Sequence, residues 1–257
     1  MRADARLAWL LQTGCKGQRS CSGYNFNKRN ALENTHAFFI IKNHMEKIIF
    51  YGDSNTYGYD PRGFFGMRYP KEVRWTEIVR DRFKGKIEIT EEGQNGRSLP
   101  EIQREEGFLR SIMGALSDKD ILFVMLGTND ILLTDHPDAD RAVQKMAKLL
   151  DWIKAEDPVF ETIVIGPVPI SGEPLDMQIY HDESLRMNLG FKSVCEERGV
   201  AYYDAADWDI RLAYDGVHFS EEGCRDFAEQ IIRIIRERME QRVRRHRENL
   251  LDTSVKR

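Results

Sequence analysis

Ser54, Asp215 and His218 are the side chains of this chain best placed for nucleophilic chemistry. Ser54 lies in Gly52-Asp53-Ser54-Asn55-Thr56-Tyr57-Gly58, directly after an apolar burst. A serine hydroxyl is a weak nucleophile until a neighbouring base takes its proton. His218 is the candidate base, in Asp215-Gly216-Val217-His218-Phe219. The two residues between carboxylate and imidazole let Asp215 reach Nδ1–H while Nε2 points elsewhere, the relation an orienting acid needs. The other five histidines, His36, His44, His136, His181 and His246, lack such a partner and read as ordinary surface or core residues. An acyl transfer would also need hydrogen-bond donors aimed at the oxyanion. The backbone N–H groups of Ser54 and Gly96 and the side-chain amide of Asn129 are suitable, with Gly93 competing for the Gly96 role. Asn95-Gly96 is equally a favoured turn pair, and Asn129 or Asp130 suits a helix cap.

These residues must be held by the elements around them. Apolar bursts at Lys47–Tyr51, Ile87–Thr90, Ile121–Leu126, Thr162–Ile165 and Val200–Tyr203 have the length and composition of buried parallel strands. Helical patterns alternate with them. One spans about Ala139–Ala155, with Val143, Met146, Leu150 and Ile153 on one face. Another spans about Glu183–Arg198 and ends at Gly199. A closing helix follows Ser220, a suitable N-cap, and turns Phe227, Ile231, Ile234 and Ile235 inward. The alternation predicts an α/β fold, a three-layer α/β/α sandwich on a five-stranded parallel sheet, which the family resemblance drawn below makes flavodoxin-like. Ligands of such sheets bind beyond the carboxyl ends of the strands. The polar clusters Gly52–Gly58, Glu91–Ser98 and Gly127–Asp130 stand at three strand exits, and Asp215–Phe219 follows the last strand.

Four such blocks in this order resemble the SGNH/GDSL hydrolase superfamily, most closely its arylesterase and acyltransferase members. The likeness extends to Val73-Arg74-Trp75-Thr76 and Met125-Leu126, and covers about residues 45–235. It implies a serine esterase acting on small carboxylic esters through an acyl-enzyme, with acyl transfer to other acceptors a further activity of the group. Ser54, Asp215 and His218 then form the catalytic triad, and Ser54, Gly96 and Asn129 the oxyanion hole, with no cofactor or metal. One departure is Asn55, where the family block often carries Leu; a change there is expected to touch packing more than mechanism. Asp53 is expected to brace the turn. Arg74, Trp75 and Arg97 suit either a pocket wall or structural roles.

Two other functions fit parts of the pattern. Asp53-Ser54-Asn55-Thr56 is similar to the loop of metal-dependent aspartyl phosphatases of haloacid-dehalogenase type, but Asn55 stands where their second aspartate belongs. A non-catalytic binding module on a flavodoxin-like sheet would not need Ser54, Asp215 and His218 together. No phosphate-binding GxxxxGK[ST] motif occurs, and no dinucleotide fingerprint follows the first strand.

A formal net charge of −4 gives no general attraction to nucleic acid, and no apolar run reaches a membrane span. The expected partner is a small-molecule ester, with homo-oligomers left open. Four cysteines without a CxxC suggest reduced thiols in the cytoplasm. Residues 1–44 read as a disordered extension: their apolar run, Leu7–Leu11, is too short for a secretory signal. The hydrolase domain is expected over 45–240, followed by a basic helix end or tail over 241–257. From Arg233 to Arg247 seven arginines face two glutamates, which reads as a solvated helix extension.

Overall fold

A computed structural model describes residues 45–63 and 67–255; the expected extension over 1–44 lies outside them. Five strands form one parallel sheet: β1 (Glu46–Gly52), β2 (Ile87–Gly93), β3 (Ile121–Met125), β4 (Glu161–Gly166) and β5 (Ala201–Asp204). Their order is β2-β1-β3-β4-β5. The helices are α1 (Ser54–Tyr57), α2 (Trp75–Arg82), α3 (Ile102–Met113), α4 (Thr128–Leu132), α5 (Ala139–Ala155), α6 (Gln178–Arg198) and α7 (Glu221–Val255).

Successive strand side chains point to opposite faces, and each face carries its own core. Ile49, Tyr51, Leu122, Val124 and Val164 pack against α3, α5 and α6 through Leu109, Met146, Leu150 and Phe191. Ile48, Phe50, Phe123, Ile163 and Ile165 pack on the other face against α2 and α7 through Trp75, Val79, Phe227, Ile231 and Ile235. The expected three-layer sandwich is therefore observed. Helix α5 has the expected bounds, while α6 starts five residues before Glu183, at Gln178. Ser220 caps α7: its Oγ accepts the Gly223 N–H at 3.0 Å.

Helix α7 runs on to Val255, and its basic stretch is not wholly solvated. Arg238 and Arg242 reach Glu161 at the start of β4, at 3.4 and 3.0 Å, and Arg242 also donates to the Lys119 carbonyl. The arginines thus tie the helix to the sheet.

The chain leaves β1 toward one edge and builds from β3 toward the other. The order thus reverses between β1 and β3, and sheets of this kind bind ligands beyond the carboxyl ends of the strands at such a switch point. Gly52 and Met125, at those two ends, are register partners.

Candidate active site

Ser54 is the first residue of α1, immediately beyond β1. Two glycines let this turn sit so tightly. A Cβ on Gly52 would lie 2.1 Å from Thr56 Oγ1, and one on Gly93 would lie 2.2 Å from the Tyr57 backbone nitrogen. Gly93, considered above as an oxyanion donor, thus has a packing reason to be glycine. It pairs with Gly52 at the end of β2. Gly58 ends the turn in the left-handed region, φ 81°, and its N–H donates to the Ser54 carbonyl.

The loop after β5 brings His218 over this turn. Its Nε2 lies 2.9 Å from Ser54 Oγ, and its Nδ1 lies 2.6 Å from Asp215 Oδ2. The other oxygen, Asp215 Oδ1, accepts the backbone N–H groups of Val217 (3.1 Å) and His218 (3.0 Å). Gly216, at φ 68°, allows the reversal that brings the carboxylate under the ring. Burial pushes the Asp215 carboxyl upward, but the His218 ring and these two N–H groups outweigh it and hold the carboxyl below its ordinary value. Asp215 is therefore kept as an anion facing an imidazole. The Tyr59 ring packs on that imidazole with centroids 4.5 Å apart, a contact from an irregular loop that no sequence pattern signalled.

The two remaining blocks meet beside Ser54. Asn129 is buried in the first turn of α4, and its Nδ2 donates to the Arg97 carbonyl at 2.9 Å. It does not cap the helix; Gly127 occupies the cap position. Asp130 instead accepts the Leu99 N–H at 2.7 Å and pairs with Lys145 at 2.9 Å. Gly96 is exposed with φ 73° on the loop that Asn129 holds. That loop is folded by hydrogen bonds from Gln94 N–H to the Gly52 carbonyl and from Arg97 N–H to the Gln94 carbonyl. The Gly96 N–H takes part in neither.

Arg97 and Trp75 turn inward. Arg97 is buried, stacks over the Tyr51 ring and donates to the Gly52 carbonyl at 2.9 Å and to the Glu92 carbonyl. It staples the ends of β1 and β2. Trp75 is buried and donates its indole N–H to the Asn55 carbonyl at 2.8 Å. Asp53 is almost fully buried and accepts the Asn55 N–H at 2.9 Å, which caps α1 and braces the turn as expected. Burial raises its carboxyl to about 6, against the lowering influence of the Asn55 N–H, His218 and the Thr128 hydroxyl.

Asn55 departs from the packing role expected of it. Its side-chain Nδ2 donates to the Val217 carbonyl at 3.2 Å, and its Oδ1 accepts the Phe219 N–H at 3.0 Å. Both hydrogen bonds reach the His218 loop. An amide at a position where the related motif often has leucine was the only signal of this in the sequence.

Among the described residues no group of three His, Cys, Asp or Glu side chains is arranged to hold a metal ion. No helix among them is long and apolar enough to cross a membrane. Cys195 and Cys224 are buried free thiols, and burial raises both to about 12.

Comparison with known proteins bears on the fold and the family. No curated protein matches the chain. Among solved structures, a Sinorhizobium meliloti carbohydrate acetylesterase, Est24, is 22% identical with TM-score 0.63, over 75% of this chain and 99% of that one. The Mycobacterium smegmatis aryl esterase is 23% identical with TM-score 0.63, over 75% and 99%. An Agrobacterium tumefaciens protein described as an arylesterase is 25% identical with TM-score 0.61, over 75% and 99%. The GDSL-like lipase/acylhydrolase family model matches residues 50–225, from the first strand through the His218 loop. The chain belongs to that family and is a carboxylic ester hydrolase.

Proposed function

We propose that the chain cleaves small carboxylic esters through a covalent acyl-enzyme on Ser54, with His218 as base and Asp215 as its orienter. The observation that carries this reading is the unbroken contact from Ser54 Oγ to His218 Nε2 and from His218 Nδ1 to Asp215. His218 takes the hydroxyl proton as Ser54 Oγ attacks the ester carbonyl carbon. The N–H groups of Ser54 and Gly96 and the Asn129 amide receive the oxyanion. The tetrahedral intermediate collapses, and His218 passes its proton to the departing alcohol. Water, deprotonated by the same ring, then attacks the acyl-enzyme and releases acid. An alcohol in place of that water makes the same step an acyl transfer.

Short acyl groups on aryl or sugar alcohols are the substrates we favour, since the similar solved structures include an aryl esterase and a carbohydrate acetylesterase. A cytoplasmic setting goes with this reading.

The test is a panel of p-nitrophenyl and acetylated-sugar esters of increasing acyl length, assayed in EDTA. Activity should be highest for acetyl, survive EDTA and disappear in Ser54→Ala, and an organophosphate should modify the wild type at Ser54. Complete loss in EDTA, restored by Mg²⁺, would overturn the serine mechanism.

A further inference from the structure

We propose that Asn55 is a positioning residue that sets the His218 imidazole against Ser54, by gripping the peptide groups on either side of His218. This rests on His218 and Ser54 acting as base and nucleophile. The Val217 carbonyl belongs to the peptide entering His218, and the Phe219 N–H to the peptide leaving it. One buried amide binds both, at 3.2 and 3.0 Å, across 162 and 164 residues of sequence. The pairing fixes the orientation of the amide, since only its nitrogen can donate to a carbonyl and only its oxygen can accept from an N–H.

The grip is anchored to the nucleophile. Asn55 directly follows Ser54 within α1. Its backbone N–H donates to Asp53, and its carbonyl accepts the indole N–H of buried Trp75 at 2.8 Å. The amide therefore joins two loops that meet only through tertiary structure, the serine turn and the histidine loop. Leucine fills similar space but offers neither donor nor acceptor. Asp215 orients the imidazole ring about its own side-chain torsions; Asn55 places the backbone from which that ring hangs.

A residue acting through His218 should lose its effect when His218 is gone, because coupled residues are non-additive. The experiment is a double-mutant cycle in the full chain, pairing Asn55→Ala with His218→Ala. It reads kcat and KM on p-nitrophenyl acetate and the rate of organophosphate labelling at Ser54, with thermal unfolding of each protein. We expect Asn55→Ala to lower kcat and labelling by about 10²-fold, the scale of a misplaced catalytic group, with KM little changed. In the His218→Ala background the same change should be nearly silent. Unchanged kcat in a folded Asn55→Ala protein would overturn the proposal, as would an equal fold-loss in both backgrounds.

Should Asn55→Ala fail to fold, Asn55→Asp keeps the size and the acceptor for Phe219 but not the donor for Val217. It should lower kcat by about tenfold, again only where His218 is present. Failure of both variants to fold would make Asn55 a folding residue and overturn a positioning role. Full activity in Ser54→Ala or His218→Ala would be a different failure, that of the serine esterase reading itself.

Discussion

Asn129 and Gly96 offer the same kind of donor in different ways, and the structure makes their substitutions distinguishable. The Asn129 amide carries two hydrogens, of which the Arg97 carbonyl engages one at 2.9 Å. The other is the donor proposed for the developing negative charge. Asn129→Ala should therefore lower kcat by about 10²–10³ with a smaller effect on KM, measured on folded protein. An unchanged kcat would leave Asn129 a strut for the Gly96 loop. Gly96 is proposed to act through its backbone N–H, which alanine keeps, so chemistry alone would make Gly96→Ala mild. Its φ of 73° changes that, because a Cβ in the left-handed region costs about 1–2 kcal/mol. Gly96→Ala should thus lose stability and some activity although open space surrounds the site, while Gly96→Pro, which cannot reach this φ and has no N–H, should be inactive. Equal kcat in wild type and Gly96→Pro would remove Gly96 from the oxyanion hole.

At the scale of elements, the serine turn depends on how closely α1 can approach the ends of the strands. Gly93 lies at the end of β2, where an added Cβ would meet the Tyr57 nitrogen at 2.2 Å and the Tyr57 Cα at 2.6 Å. These are backbone atoms and cannot swing aside as a side chain would. Gly93→Ala should destabilise by about 3 kcal/mol or more, in the upper range of overpacking, and displace Ser54. Urea unfolding and ester turnover would check both, and a stable, fully active variant would contradict the close approach. Helix α7 gives a milder case. Losing the Ser220 cap in Ser220→Ala should lower stability by about 1 kcal/mol, and a urea midpoint equal to wild type would show the cap adds nothing.

For the whole molecule, two carboxyls near the site pull the pH dependence of stability in opposite directions. Asp53, raised by burial from 3.8 to about 6, binds its proton more tightly when folded than when unfolded. Its contribution therefore falls as pH rises from about 4 to about 6, by up to about 3 kcal/mol. Asp215, held below its ordinary value, contributes stability in neutral solution that is lost as acid protonates it. Replacing Asp53 by the isosteric Asn removes only the first of these. Urea unfolding of wild type and Asp53→Asn between pH 4 and 7 should show the variant gaining on the wild type as pH rises. Parallel curves would mean that Asp53 does not titrate in this range.

Apolar spacing records which face of an element is buried, so the five strands and helices α5, α6 and α7 could be read from the sequence, whereas α2 and α3 could not. β1 and α5 were legible in this way. The four polar blocks were legible too, since each stands beside the end of an apolar run, and Asp215 and His218 are close enough along the chain to pair locally. The contacts between blocks were not. Ser54 and His218 meet at 2.9 Å across 164 residues, a distance set by the strand order β2-β1-β3-β4-β5 and the path of the loops. The same holds for Asn55 gripping the His218 loop, Arg97 reaching the Gly52 carbonyl and the glycine at 93 making room for Tyr57. Each is a pairing of polar or backbone groups from distant segments, and no local periodicity encodes it. Only the packed sheet brings those groups within hydrogen-bonding or van der Waals range.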